Sequence, residues 1–369
     1  MHIKKALNVL VVGQSAEALA VAEAFGKAQG VGMVRHAREA DARGMAGFDA
    51  VVEMVGGVAP AFKVAMDALG QGMSLLTANP LLVAAHGKVL QNAAAGQHAY
   101  FGFQAAAFGV PLADVLAVMG LKKATVGWCT VANLALARMA YRNESLAQVS
   151  AQLKLQQADM SDWEGKVTQA RALALRTLWQ AEGLAASKQM RVGVEQVEIA
   201  DMRRLREFGL QMVFGAEVSV DGLYVGPLAV TPESPLLAAA QQDVFLGEGE
   251  AGEIVLSCGA GVMLGGLLAD LRQVVRSAKP AAEGQMAVYE RRAPEDVRAY
   301  VRIAAESRDV VLAAKPEVVQ ERLSGDGLWQ AVVAVKNLQV LQEVYTAGGM
   351  VYPLSGEWQP VSTGLRLVG

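Results

Sequence analysis

Cysteine and histidine are nearly absent from this chain, with two cysteines and four histidines in 369 residues. Cys129 and Cys258 are too few for a disulfide framework or a multi-cysteine zinc site. His2, His36, His86 and His98 are scattered, with no H-x-x-x-H spacing to place two ring nitrogens on one helix face, so no metal site is expected. Charge of one sign is lacking as well. The 33 Lys+Arg stand against 36 Asp+Glu, a formal net charge of −3, whereas a nucleic-acid binder carries a basic balance or patch. Hydrophobic types make up 53% of the chain and charged types 19%, too apolar a composition for a disordered chain. No apolar run approaches the ~20 residues that span a bilayer. The basic start Met1-His2-Ile3-Lys4-Lys5 leads only into a short apolar run ending at Gly13, which reads as a first strand and not as a signal peptide. The expectation is a soluble cytoplasmic protein that meets neither membrane nor nucleic acid.

What is present is alternation. Apolar runs at 8–12, 32–34, 49–55, 73–77 and 99–103 read as strands, separated by helical patterns at about 15–29, 59–70 and 81–95. That order predicts an α/β class with a Rossmann-like doubly wound parallel sheet. Strand one ends at Gly13 and a helix follows at once, the geometry of a dinucleotide site. Longer helical patterns at 132–157 and 164–186, then β-rich stretches at 209–220, 223–230 and 253–256, predict a second α+β domain. Residues 259–271 read as a helix returning to the first domain. The expected boundaries are 1–110, 111–256, 257–280 and, after Lys279-Pro280, an extension over 281–369. That extension shows strand-like 298–303 and 330–335 and helical 337–345.

The turn after strand one reads Gly13-Gln14-Ser15-Ala16-Glu17-Ala18. Of a G-x-G-x-x-G fingerprint only the first glycine survives. Ser15 and Ala18, both small, replace the glycines that let backbone approach a pyrophosphate and helix pack on strand. A helix N-terminus favours an anion, yet Glu17 in the first turn repels a bound phosphate. Arg35, His36 and Arg38 stand near the end of the second strand. They read either as a 2′-phosphate site, favouring NADP over NAD, or as solvated loop charges. Binding of NADP or NAD is expected in weakened form.

Val51-Val52-Glu53-Met54-Val55-Gly56-Gly57, followed by Leu75-Leu76-Thr77-Ala78-Asn79, resembles the homoserine dehydrogenase family, with its V-V-E-x-x-G-G strand end and later T-A-N-K. Further matches run in order over about residues 8–275. Phe103-Gln104-Ala105-Ala106 with Gly109-Val110-Pro111-Leu112 resembles E-A-x-V-x-x-G-x-P-[IL], and Asp162-Trp163-Glu164-Gly165 resembles the D-[VL]-x-G turn before a catalytic helix. Val225, Pro227, Val230, Pro235 and Leu236 keep a V-x-P-x-x-[VI]-x-x-x-x-P-L spacing, and Gly259-Ala260-Gly261 and Ala269-Asp270-Leu271 match G-A-G and A-D-L. The resemblance implies hydride transfer between NAD(P) and homoserine or aspartate semialdehyde, with the second domain, 111–256, serving substrate binding and dimerisation. It places Gly13, Gln14, Ser15, Arg35, Gly56, Thr77, Asn79 and Gly261 at the cofactor.

The family's chemical residues do not carry over. The T-A-N-K lysine is Pro80, the substrate-binding glutamate falls near Gln157, and the D-x-x-x-K pair becomes Val167 and Arg171. Proline and valine cannot ionise, and arginine stays protonated, so none can act as a general acid or base. Arg171 retains the ability to hold a small ligand's carboxylate. Gln104 replaces a glutamate in a stretch whose carbonyls hold a monovalent cation in some members, and no such site is expected here. Four replacements together imply a lost reaction: a binding or regulatory homologue, a pseudoenzyme, expected as a homodimer. The alternative is an active NAD(P)-dependent homoserine dehydrogenase or related oxidoreductase of aspartate-family amino-acid biosynthesis, with water or Cys129 handling the proton. Trp128 and Trp163 read as packing, although Trp128 is also the side chain that would fill a collapsed cleft. Cys129 reads as a small hydrophobe, and Asp162 and Glu164 as the N-cap and first turn of the following helix. Residues 281–369 lie where many family members carry a βαββαβ ACT module, with Glu306-Ser307-Arg308-Asp309 at its turn. A reduced ACT-like module and an unrelated extension are both open.

Overall fold

The computed structural model describes residues 6–39, 44–153, 162–179, 188–219, 222–259, 263–277, 297–314, 316–323, 327–336 and 338–355. Gln157 and Gly261 lie outside the described residues. The chain divides into two units, one of Met1–Gly120, Ala170–Ala181 and Gly261–Tyr289, the other of Leu121–Gln169, Glu182–Ala260 and Glu290–Gly369.

In the first unit, β1 (Leu7–Gly13), β2 (Val31–Ala37), β3 (Ala50–Met54), β4 (Ser74–Thr77) and β5 (Phe101–Gly102) form a parallel sheet in the order β2-β1-β3-β4-β5. Helices α1 (Ala16–Gly26), α2 (Ala59–Gly70) and α3 (Pro80–Gly96) connect strands, and short α4 (Gln104–Ala107) and α5 (Ala113–Met119) follow β5. Strands β1, β3 and β4 are mostly apolar because both of their faces are covered, whereas the edge strand β2 is partly exposed and carries Arg35 and His36. Val9, Val11, Ala50 and Val52 pack on the side of α1, whereas Leu10, Val12 and Val51 pack on the side of α2 with Val64 and Ala68. Alternate residues of one strand thus enter two cores.

The second unit holds a ten-stranded sheet. Its first elements are β6 (Leu121–Gly127), α6 (Val131–Arg142), α7 (Leu146–Leu153), α8 (Lys166–Leu178, whose later residues belong to the first unit), β7 (Gln189–Arg191) and α9 (Ile199–Glu207). Then come β8 (Gln211–Ser219), β9 (Leu223–Val230), β10 (Gln242–Gly249) and β11 (Gly252–Gly259). The chain next contributes α10 (Leu264–Ser277) to the first unit and re-enters the second as β12 (Val297–Ala304), α11 (Arg308–Ala313), β13 (Glu317–Leu323), β14 (Leu328–Val335), α12 (Leu338–Thr346) and β15 (Met350–Ser355). The strand order is β11-β10-β6-β8-β9-β15-β12-β14-β13, with β7 beside β9. The last six elements form a βαββαβ unit. Its strand β15 also pairs in parallel with β9, Leu354 to Ala229 and Ser355 to Val230.

Two expectations are corrected. The helix expected over 132–157 is broken at Asn143, which takes the left-handed conformation (φ 57°) and returns its N–H to the Met139 carbonyl. Asparagine at such a position ends a helix. The helix expected at 259–271 starts only at Leu264, because β11 extends to Gly259 in antiparallel register with Gln242. No helix among the described residues is long and apolar enough to cross a membrane.

Candidate functional site

In the first unit, Gly13, Gln14, Ser15, Gly56, Thr77 and Asn79 collect at the carboxyl ends of β1, β3 and β4, whereas Arg35 lies within β2, paired with Leu10. A Cβ on Gly13 would lie 2.4 Å from the Met54 carbonyl oxygen, so glycine permits the close run of β1 beside β3. Ser15 caps α1, its hydroxyl oxygen accepting from the Ala18 N–H at 3.2 Å. The carboxylate of exposed Glu17 accepts from its own backbone N–H and from the Ser15 hydroxyl, which hold its pKa below the usual carboxylate value. The helix end that would meet a phosphate therefore already carries a carboxylate of the chain itself.

Beside it, His36 Nε2 donates to the Gly13 carbonyl at 2.9 Å, and Gln14 Nε2 donates to Glu39 Oε1 at 3.3 Å. Arg35 and Arg38 are exposed. Glu39 was not singled out from the sequence, although its signal is simple: an acid two residues beyond β2, where a dinucleotide fold places the partner of the ribose hydroxyls.

The ends of β3 and β4 are joined by a polar frame. Wholly buried Glu53 accepts from the Thr77 hydroxyl through Oε2 at 2.7 Å and from the Val55 N–H through Oε1 at 2.7 Å. Burial raises its pKa, and the Thr77, Val55 and Gly56 hydrogen bonds oppose that rise. Thr77 Oγ1 in turn accepts from the Asn79 N–H at 3.0 Å. Asn79 Nδ2 donates to the Gly57 carbonyl at 2.9 Å, while its Oδ1 caps α3 at the Leu82 N–H. Gly56 and Gly57 both take positive φ, 80° and 69°, a turn that suits glycine alone. These residues therefore brace two loops. Pro80 is the first residue of α3, where its fixed φ and missing N–H suit a helix start. It offers no titratable group.

A second buried network lies in the same unit. Asp270 of α10 accepts from the Tyr100 hydroxyl (2.9 Å), the Gln104 N–H (3.0 Å) and Gln104 Nε2 (2.9 Å), and Gln104 Oε1 accepts from the Ala113 N–H at 2.9 Å. Burial pushes the Asp270 pKa up to about 6 against those three bonds. Gln104 donates and accepts at once, which a carboxylate at this position could not do.

In the second unit, the Trp128-Cys129-Thr130 turn is held from three sides. Buried Asn133 donates through Nδ2 to the carbonyls of Trp128 (2.9 Å) and Phe214 (2.6 Å), and its Oδ1 accepts from the Phe214 N–H (2.7 Å). The Cys129 N–H donates to Asp243 Oδ1 at 2.7 Å. Thr130 caps α6, and Asp162 Oδ2 accepts from the Val131 N–H at 3.2 Å in the same first turn. Asp162 thus also satisfies an N–H in the first turn of α6, a role its place before the following helix does not suggest. Glu164 pairs with Lys166, which holds its pKa below the usual value. Trp128 and Trp163 are buried. Cys129 and Cys258 form no disulfide.

Val167 and Arg171, four residues apart on α8, are both half-buried. Neither supplies a proton-transfer group. Among the described residues no cluster of three or more His, Cys, Asp or Glu is placed to share a metal ion.

No protein-family model matches the chain, and no curated protein matches it. Solved structures do. A homoserine dehydrogenase from Thiobacillus denitrificans aligns with a TM-score of 0.76 at 19% identity, over 95% of this chain and 98% of its own. The homoserine dehydrogenase of S. aureus at pH 7.5 aligns with a TM-score of 0.71 at 15% identity, over 95% and 99%. A hyperthermophilic archaeal homoserine dehydrogenase in complex with NADPH aligns with a TM-score of 0.62 at 18% identity, over 73% of this chain and 98% of its own. The chain has the homoserine dehydrogenase fold.

Proposed function

We propose that this chain is a homoserine dehydrogenase homologue that has lost the interconversion of homoserine and aspartate semialdehyde and works as a binding or regulatory protein. The observation that carries the reading is Pro80. It opens α3 immediately after the intact Glu53–Thr77–Asn79 frame, the position where the sequence resemblance expects a lysine. The frame is kept and the amine is gone. Val167 and Arg171 add to this, since neither can exchange a proton at ordinary pH.

Cofactor binding is weakened in this reading, because Glu17 occupies the anion-binding end of α1. Glu39 beside Gln14 adds negative charge near the ribose position and offsets Arg35 and Arg38 there. NADP and NAD therefore bind weakly and with little preference. Arg171 is the residue to hold a small ligand's carboxylate. The protein is a cytoplasmic homodimer that meets neither membrane nor nucleic acid.

The test is calorimetric titration with NADP(H) and NAD(H), followed by a homoserine-oxidation assay. The expected result is weak cofactor binding and no turnover, unchanged by Pro80→Lys alone. Measurable wild-type turnover would overturn the reading and establish the alternative, an active NAD(P)-dependent oxidoreductase.

A further inference from the structure

The two sheets end on strands of different kinds. In the parallel sheet, β5 is two residues long and β2 carries Arg35 and His36. In the ten-stranded sheet, β13 is irregular in register between Val318 and Gln320, and β7 is three residues long. Shortness, charge and bulges keep a sheet edge from pairing with another chain. Strand β11 has a single charge, Glu253, and none of the other devices. It runs eight residues, Gly252–Gly259, in unbroken register with β10 and without proline or lysine. Among the described residues it pairs with β10 alone.

The hairpin fixes which way the backbone of β11 points. It closes at Gly249 and Gly252 across a two-residue turn, and hydrogen-bonded pairs alternate from there. Gly252, Ile254, Leu256 and Cys258 turn their N–H and C=O groups to β10, so Glu253, Val255, Ser257 and Gly259 turn theirs away. Those four residues are exposed, Val255 at 56%, whereas Ile254, Leu256 and Cys258 are half-buried. A row of outward backbone groups among apolar side chains is the form that a further strand completes.

The residues of the edge select that strand. Laid antiparallel on itself about a two-fold axis at Val255, β11 sets Val255 against the partner's Val255, Ile254 against the partner's Leu256, and Glu253 against the partner's Ser257. Outward backbone meets outward backbone, apolar meets apolar, and the one charge meets a hydroxyl. A strand of another protein would have to supply this match, whereas β11 supplies it to itself. We propose that two copies of this chain join through β11, antiparallel and edge to edge, so that their ten-stranded sheets become one. The proposal rests on the reading of the chain as a homodimer, whose interface it names, and not on whether the homoserine reaction is lost.

Sedimentation equilibrium of the full chain should give a dimer for the wild type and a monomer for Val255→Pro. Proline is tolerated on an edge strand where its missing N–H faces away from the sheet, so this variant should keep the wild-type circular dichroism. Ser257→Glu sets a carboxylate against the partner's Glu253 twice per dimer and should weaken association about tenfold or more. Adding Glu253→Lys should restore it. Residues paired on the axis as Val255 is have Cα atoms about 5.5 Å apart, within the span of a disulfide. Val255→Cys should therefore cross-link to its own copy under the thiol oxidant diamide. The wild type, with Cys129 and Cys258 alone, and Glu253→Cys should not. A wild-type dimer that survives Val255→Pro and Ser257→Glu, with no cross-link in Val255→Cys, would overturn the proposal and leave the homodimer to another face. A monomeric wild type would overturn both. If Val255→Pro does not fold, the charge swap and the cross-link decide alone.

Discussion

Thr77 donates its hydroxyl proton to Glu53 Oε2 across 2.7 Å, and the two are register partners on adjacent parallel strands. The carboxylate has no solvent to replace a lost donor, so removing this one leaves charge unmet. Thr77→Val keeps the shape and removes the donor. We expect a loss of about 1–3 kcal/mol in urea denaturation at neutral pH, with most of it recovered in Thr77→Ser. The sign with pH follows from the raised pKa of Glu53. A carboxyl group whose folded value is raised contributes stability below its unfolded value and loses it as pH rises through the folded one. Thr77→Val raises the folded value further, so its deficit should be larger at pH 7 than at pH 4.

Glu17 gives a gain-of-binding prediction. Its carboxylate accepts from the Ser15 hydroxyl and from its own N–H, groups that a phosphate at this helix end would use. Glu17→Ala should tighten dinucleotide binding by about tenfold, measured calorimetrically with both NADPH and NADH. Because the bonds lower the Glu17 pKa, wild-type affinity should not improve on acidification from pH 7 to pH 5. Equal affinity of variant and wild type would show that Glu17 is no obstacle.

The parallel sheet was legible because β1, β3 and β4 are short, mostly apolar runs that end at Gly13, at Met54 just before Gly56-Gly57, and at Thr77, and burial on both faces leaves such runs nearly unbroken. The second sheet was less so. Strand β6 carries Lys122 and Lys123 at its start, and the expectation of a strand at 253–256 caught only half of β11. The break at Asn143 was hidden because the residues on both sides keep helical spacing, and only the backbone angle reveals the end. At the site, motif spacing located Glu53, Thr77 and Asn79. It could not show that Asp162 caps α6, 31 residues earlier, or that the Glu17 carboxylate folds back onto its own N–H. Both depend on where backbone donors lie in space.

Gln104 separates a neutral donor from a second charge. Asp270 has a pKa of about 6, above the ordinary carboxylate value, so its stabilising contribution is full below about pH 4 and is lost as pH rises through about 6. Gln104→Glu would keep the acceptor for the Ala113 N–H, lose the donor to Asp270, and set two carboxyl groups at hydrogen-bond range. We expect a loss of about 2–4 kcal/mol at pH 7. Near pH 5 a shared proton should restore much of it. A cost independent of pH, read from denaturation curves at both values, would mean that packing and not charge is responsible.

Asp201 and Arg302 join α9 to the βαββαβ unit. Arg302 Nε lies 2.9 Å from Asp201 Oδ1, the Tyr352 hydroxyl donates to Oδ2 at 2.8 Å, and Asp201 has no exposure. Burial raises the Asp201 pKa, and Arg302 is the strongest influence lowering it. Arg302→Met therefore leaves a buried carboxylate with its charge unbalanced, at a cost of about 3–5 kcal/mol. Since loss of the guanidinium raises the folded pKa further, the deficit should grow between pH 5 and pH 8. Asp201→Asn in the Arg302→Met background should recover stability at pH 8, because it removes the charge and leaves an amide oxygen for Tyr352. If the double variant is no more stable than Arg302→Met, the pair holds the unit through shape, and the charge of Asp201 is incidental.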